Sequence, residues 1–314
     1  MWLLFSALAA ISFGMRGILY HWTSQQSLKR NTLLCGTFFM GALISLVCSF
    51  VLKQEWTTTS LVGVQMGLFS YAANASMFKG FKVGKASVVA ILTALPAVLV
   101  VIGAYFIWGE RLNLMQFIAF IIIVSGVLLV RYSNDITIQN LQGSQWGLLA
   151  LLMFAFNDLT GKWSTILDSP MFPTLFLMFV TGTICFGFGW LRDYKVKNKF
   201  VNRELAASSE NSTTANQTKQ RGNSILSEEK SPWSEKRTFL VGMGVGISNI
   251  VGMIFILIAF EYGKAGLVSA VVALNVFLVL LYTRFFVKEK FTKLELTGIF
   301  AAIAGILFMR LYAG

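Results

Sequence analysis

The chain reads as an all-α integral membrane protein, with ten transmembrane helices arranged as two inverted five-helix repeats. Three observations predict this. Apolar residues gather in runs of about 20, and a helix rising 1.5 Å per residue crosses a hydrocarbon core of roughly 30 Å in that length. Only 13% of the 314 residues are charged and 56% are hydrophobic, against about 25% charged in an ordinary soluble domain. Finally, residues of the first half recur in the second at a constant spacing.

The ten runs lie near 2–20, 33–52, 60–79, 86–108, 113–131, 145–163, 171–190, 238–259, 265–287 and 294–312. The first has no basic segment ahead of MWLLFSALAA and carries Arg16 inside it, so it is expected to stay as a span rather than act as a cleaved signal. The third opens with LVGVQMG, where Gly63 and Gly67 stand one turn apart and let another helix approach closely. The fourth carries Pro96 at its middle, the fifth ends at Arg131, and the sixth holds Asn157 and Asp158. The eighth opens with LVGMGVG, and the ninth has Asn275 at its middle. The expected division is a first repeat at 1–131, a linker at 132–144 and a second repeat at 145–312. The stretch 191–237, Ser/Asn/Glu-rich and holding ten of the 26 basic residues, is expected to be a flexible loop with too little apolar surface to fold.

The repeat is visible at an offset of 179 residues. Gly63 and Gly67 fall on Gly242 and Gly246, GKA at 84–86 on GKA at 263–265, Glu110 on Glu289, Gly126 on Gly305 and Arg131 on Arg310. None of these is a hydropathy match, so the correspondence is an internal duplication. Five helices per copy is an odd number, and the second copy therefore enters the membrane the other way up. Inverted repeats place a substrate site near the midplane, between the halves.

The stretch GKASVVAILTALPAVLVVIGAYFIWGERLNLMQFIAFIIIVSGVLLV (84–130) resembles the EamA-like branch of the drug/metabolite transporter superfamily. The resemblance rests on a small-residue start, the mid-helix Pro96, Gly109-Glu110 and the late Gly126. The second copy keeps Glu289 and Gly305 but has Asn275 for Pro96 and Lys288 for Gly109. The resemblance implies a secondary carrier of small metabolites, often amino acids or related compounds and frequently exported. It names no substrate.

The net charge of +12 is placed for a membrane surface rather than for nucleic acid. Lys53, Arg111, Lys162, Lys264 and Arg310 fall on the N-terminal side; twenty basic residues fall on the other. By the positive-inside rule the termini are extracytoplasmic and the 191–237 loop is cytoplasmic, in a multi-pass plasma (inner) membrane protein. Many relatives are described with termini inside, so charge and resemblance disagree. The sequons NST (211–213) and NQT (216–218) would then meet no glycosylation machinery.

Arg16 and Asp158 are charged at membrane depth, where a charge costs about 2.5–3.5 kcal/mol and faces a cavity or a partner. Two readings stand. Asp158 pairs with Lys162 one turn on while Arg16 snorkels outward, or the two form opposite poles of a central cavity holding a zwitterionic or polar solute, with Asp158 carrying the coupled proton. Tyr71, Asn74, Asn157, Asn249 and Asn275 join the second reading as cavity residues, although each amide could simply bond a neighbouring helix. Pro96 frees a backbone carbonyl at mid-membrane. With Asn275 at the matching place, the fourth and ninth helices are expected to differ there. Glu110 and Glu289, beside Arg111 and Lys290, and Lys162 are read as gating or structural charges.

The leading function is secondary active transport of a small polar, amino-acid-like metabolite by alternating access, with the export direction taken from the resemblance alone. A sugar or nucleotide-sugar carrier of the same fold and a non-transporting sensor or assembly subunit are the alternatives. A membrane enzyme would need a histidine- or acid-rich cluster, and His21 is the single histidine. Cys35, Cys48 and Cys185 form no CxxC pattern, so no metal and no cofactor are expected. The expected partners are the bilayer, the solute, a proton and, as a further candidate, a second copy of the chain.

Overall fold

The structure, a computed structural model, describes residues 1–24, 26, 28–83, 86–131, 143–210, 233–286 and 292–312. These form twelve α-helices: α1 (Trp2–Ser24), α2 (Arg30–Val51), α3 (Val62–Val83), α4 (Ala86–Leu92), α5 (Pro96–Trp108), α6 (Leu114–Arg131), α7 (Ser144–Ile166), α8 (Met171–Glu210), α9 (Glu235–Tyr262), α10 (Ala265–Val272), α11 (Asn275–Phe285) and α12 (Lys293–Tyr312). Among the described residues there is no strand. The protein is an all-helical membrane protein. The expected linker at 132–144 lies outside the described residues except for Gly143 and Ser144, which open α7.

Two expectations need correction. The fourth and ninth spans are each broken in two, as α4–α5 and α10–α11, and the breaks fall at matching places. Ala94 N–H donates to Ile91 O at 3.0 Å and Leu95 N–H to Leu92 O at 3.2 Å, so three-residue bonds interrupt the four-residue ladder. In the second copy Leu274 N–H does the same toward Val271 O at 3.1 Å. Asn275 therefore does not restore a continuous helix where Pro96 breaks one. There α1 packs Gly14 onto the Asn275 carbonyl and the Leu278 side chain, a tertiary contact that stands where the first copy has a ring.

The second correction concerns 191–237. α8 continues without interruption to Glu210, 40 residues in all. The segment LRDYKVKNKFVNRELAASSE holds no glycine or proline and is rich in good helix formers. Poverty in apolar side chains denies it a core but not a backbone ladder. At its other end the stretch is again helical, α9 starting at Glu235 with the Ser234 hydroxyl accepting from Arg237 N–H at 3.2 Å. Residues 211–232, including both sequons, lie outside the described residues.

The two repeats are interleaved. α2 packs on α8 and α9, α3 on α7 and α8, α1 on α9, α10 and α11, α5 on α10, and α6 on α12. Lipid supplies no bulk hydrophobic force between helices, so these pairs rely on close backbone approach. Cβ atoms added at Gly63 and Gly67 would run into the carbonyl oxygens of Thr174 and Met178 on α8; at Gly242 and Gly246 they would run into those of Leu33 and Thr37 on α2. The same inverted correspondence joins α2 to α8: Gly41 receives the Phe179 ring and Gly182 the Phe38 ring. The two rings meet edge to face, centroids 5.7 Å apart, and both are buried. A pseudo-two-fold axis passes between them.

Gly242→Ala should lower the thermal stability of the detergent-solubilised protein by about 2 kcal/mol through overpacking against Leu33. Gly244→Ala, on the same helix with nothing within 4 Å of its Cβ position, should leave it unchanged. Equal melting temperatures for the two variants would refute the close-approach account.

Candidate functional site

The polar residues at membrane depth sit on α1, α7, α9 and α10. Arg16 follows the first residue of α1 by 14 residues, and Asp158 follows the first residue of α7 by the same 14; both helices have 23 residues. The two charges thus occupy equivalent places in the two repeats, with opposite sign. Trp2, Gly263 and the end of α7 share one membrane face, so α1 and α7 run in opposite directions. At 1.5 Å per residue Arg16 and Asp158 differ in depth by about 9 Å.

Arg16 Nη1 donates to Asn249 Oδ1 on α9 at 2.5 Å. Its guanidinium carbon lies 4.5 Å from the centre of the Phe13 ring and 5.9 Å from that of Tyr20. The aromatic faces attract the cation, and its hydrogen-bond partner is a neutral amide. Asp158 Oδ2 accepts from Ser269 Oγ on α10 at 2.7 Å. Asn157 Oδ1 is buried and has no hydrogen-bond partner. Among the described residues neither Arg16 nor Asp158 forms a salt bridge.

Lys162 does not pair with Asp158. Its buried ammonium donates to Phe260 O at 2.6 Å and Gly263 O at 2.9 Å, the last carbonyls around the end of α9, where a cation complements the helix dipole. It also lies 3.5 Å from Glu110 Oε1. The other Glu110 oxygen accepts Ala265 N–H at 2.8 Å, capping the start of α10. Gly109, in the left-handed region at φ 68°, ends α5 and turns the chain so that Glu110 can reach inward. One ion pair therefore caps both sides of the α9–α10 junction. Lys264 ties the same junction to α6, donating to Arg111 O at 2.5 Å and Gln116 Oε1 at 2.8 Å. Glu289, the counterpart of Glu110, lies outside the described residues.

The other expected cavity residues are not all gathered here. Asn74 is buried and donates to Ser70 O of its own helix at 2.8 Å. Tyr71 packs edge to face on Phe186, centroids 4.8 Å apart. Pro96 and Asn275 open α5 and α11 at the two breaks. Sequence reasoning missed Ser269, Phe13 and Tyr20. Ser269 was findable as the single polar side chain of α10, AGLVSAVV; the two rings carry no signal apart from their helical spacing from Arg16. No group of three His, Cys, Asp or Glu side chains is placed to hold a metal ion among the described residues.

The comparisons with known proteins agree with this architecture. Residues 1–132 and 223–311 match the EamA-like transporter family, most of the chain, and the chain belongs to that family. It is thus a transporter of the drug/metabolite type. A solved structure titled "Crystal structure of protein" is similar over 99% of this chain and 98% of its own length, with a TM-score of 0.68 and 14% identity, a likeness of fold. No curated protein matches.

A double-mutant cycle separates the two partners available to Lys162. Lys162→Met strands Glu110 and should cost about 3 kcal/mol of stability, part of it recovered by adding Glu110→Gln. Asp158→Asn should combine with Lys162→Met additively, within about 0.5 kcal/mol. Strong coupling between Asp158 and Lys162 would contradict the geometry.

Proposed function

We propose that the protein is a secondary active carrier of small zwitterionic, amino-acid-like solutes, working by alternating access. One observation supports it most: two opposite charges at membrane depth, each held only by neutral groups. Each such charge costs about 2.5–3.5 kcal/mol in the membrane, and a solute carrying the complementary pair offsets both. Arg16 offers donors to a carboxylate. Asp158, with the unpartnered Asn157 Oδ1 beside it, offers acceptors to an ammonium group. The difference in depth of about 9 Å means that the solute meets the two groups from different sides of one central space. In the empty carrier Asp158 loses its charge by taking a proton, a route closed to Arg16, so the return step carries a proton.

The boundaries 1–131 and 145–312 mark units of duplication in this proposal, not units of motion. Interleaved packing means that a rocking body contains helices of both repeats. Its gate on the N-terminal side is the Glu110–Lys162 pair, which pins α10 at the end opposite the break. A solute that draws Asp158 away from Ser269 frees the same helix. Glu289 is the matching gate charge for the other face. The basic residues, twenty against five, support extracytoplasmic termini in the plasma (inner) membrane.

In proteoliposomes, Arg16→Gln and Asp158→Asn should each lower amino-acid flux at least tenfold with normal membrane insertion. Wild-type flux should follow an imposed pH gradient, and Asp158→Asn should lose that response while retaining exchange. Full flux in well-inserted variants, or equal flux of neutral sugars, would sink the assignment. A cytoplasm-dependent reporter should be silent after Gly314 and active when inserted near Asn216; the reverse pattern would invert the orientation and leave the site untouched.

A further inference from the structure

The turn that sends Glu110 inward sends Arg111 outward. A cleft of about 490 Å³ opens at this corner, between the end of α5 and the start of α6, lined by Val101, Ile102, Tyr105, Phe106, Arg111 and Phe117 among others. Its apolar wall faces away from the helix bundle, Phe106 being 78% exposed. Its depth is that of the membrane interface, since α5 ends there at Trp108 and tryptophan and tyrosine concentrate at that level. Both Glu110 oxygens are engaged with Lys162 and Ala265, so the acid is neutralised from behind. The Arg111 guanidinium lies 6.0 Å from the centre of the Tyr105 ring, and among the described residues no salt bridge holds it. The Arg111 backbone is fixed by the bond from Lys264. The rim is cationic, and the wall below it is apolar.

We infer that this cleft is a binding site for an anionic phospholipid, with the phosphate at Arg111 and an acyl chain along Ile102, Phe106 and Phe117. Charge complementarity selects the occupant: a bare apolar groove accepts any acyl chain, whereas a guanidinium on its rim forms bidentate bonds to a phosphate. A soluble metabolite would leave the apolar wall without a partner. The repeat carries the pattern to the opposite leaflet. At the 179-residue offset Glu289-Lys290 stands for Glu110-Arg111 and Arg284 for Tyr105; residues 287–291 lie outside the described ones, so this second site rests on sequence alone. The inference does not rest on the solute assignment: Glu110 also lines the cleft, but the phosphate is placed at Arg111, which that assignment does not use.

Native mass spectrometry of the full chain, released from nanodiscs of equal phosphatidylglycerol and phosphatidylcholine, tests it. The wild type should retain phosphatidylglycerol several-fold over phosphatidylcholine. Arg111→Gln, at an exposed position, should reduce that preference at least threefold, and Lys53→Gln, an exposed basic residue placed on the same side, should leave it intact. Excess inorganic phosphate should not displace the lipid. An unchanged preference in Arg111→Gln, an equal loss in Lys53→Gln, or displacement by inorganic phosphate would each overturn the lipid site.

Discussion

The constraint on which the architecture depends is contact between backbones at the crossings of α2, α3, α8 and α9. Hydrocarbon surrounds these helices on the outside, so burying another leucine gains nothing over leaving it in lipid. What holds them is the van der Waals attraction available when two backbones meet with no side chain between them. Gly63, Gly67, Gly242 and Gly246 supply that at two symmetric crossings, and the reciprocal Phe38–Gly182 and Phe179–Gly41 contacts fill the space on the axis. Arg16 and Asp158 stand on opposite repeats, and the Glu110–Lys162 pair sits at the α9–α10 junction.

The duplication also shows how a symmetric scaffold acquires different polar chemistry in its two copies. Equivalent positions on α1 and α7 carry a guanidinium and a carboxylate, with partners on different helices, Asn249 on α9 and Ser269 on α10. Geometry is shared between the copies while chemistry is not. The broken helices follow the opposite logic. Different residues, Pro96 and Asn275, open the second segment at one and the same place, because a bend there is required by packing whatever side chain stands at the position.

Much of this was legible in the sequence. The spans follow from apolar run length, and the inverted arrangement follows from an odd number of helices per copy. The glycine crossings were readable because Gly63/Gly67 and Gly242/Gly246 occur in register. Tertiary choices were less readable. Lys162 stands one turn from Asp158, the spacing of a local ion pair, yet it reaches Phe260, Gly263 and Glu110 instead, since helix ends and a second carboxylate compete for it. Asn275 gave no sign of a break, because amides carry no fixed backbone torsion. The helical continuation of α8 was masked by its composition, which speaks to burial rather than to local backbone preference.

Interleaving has a consequence for biosynthesis. α6 precedes its partner α12 by 179 residues, and Phe38 precedes its ring partner Phe179 by 141. At roughly 5–20 residues per second the ribosome delivers the second half of that pair about 7–28 s after the first. Through that interval the early spans stand in the bilayer with glycine faces exposed and no native partner, able to meet their counterparts on another nascent chain. The order of assembly is therefore dictated by the exit of α8 and α9. A truncated first repeat lacks the partners of α1, α2, α3, α5 and α6 on the second repeat.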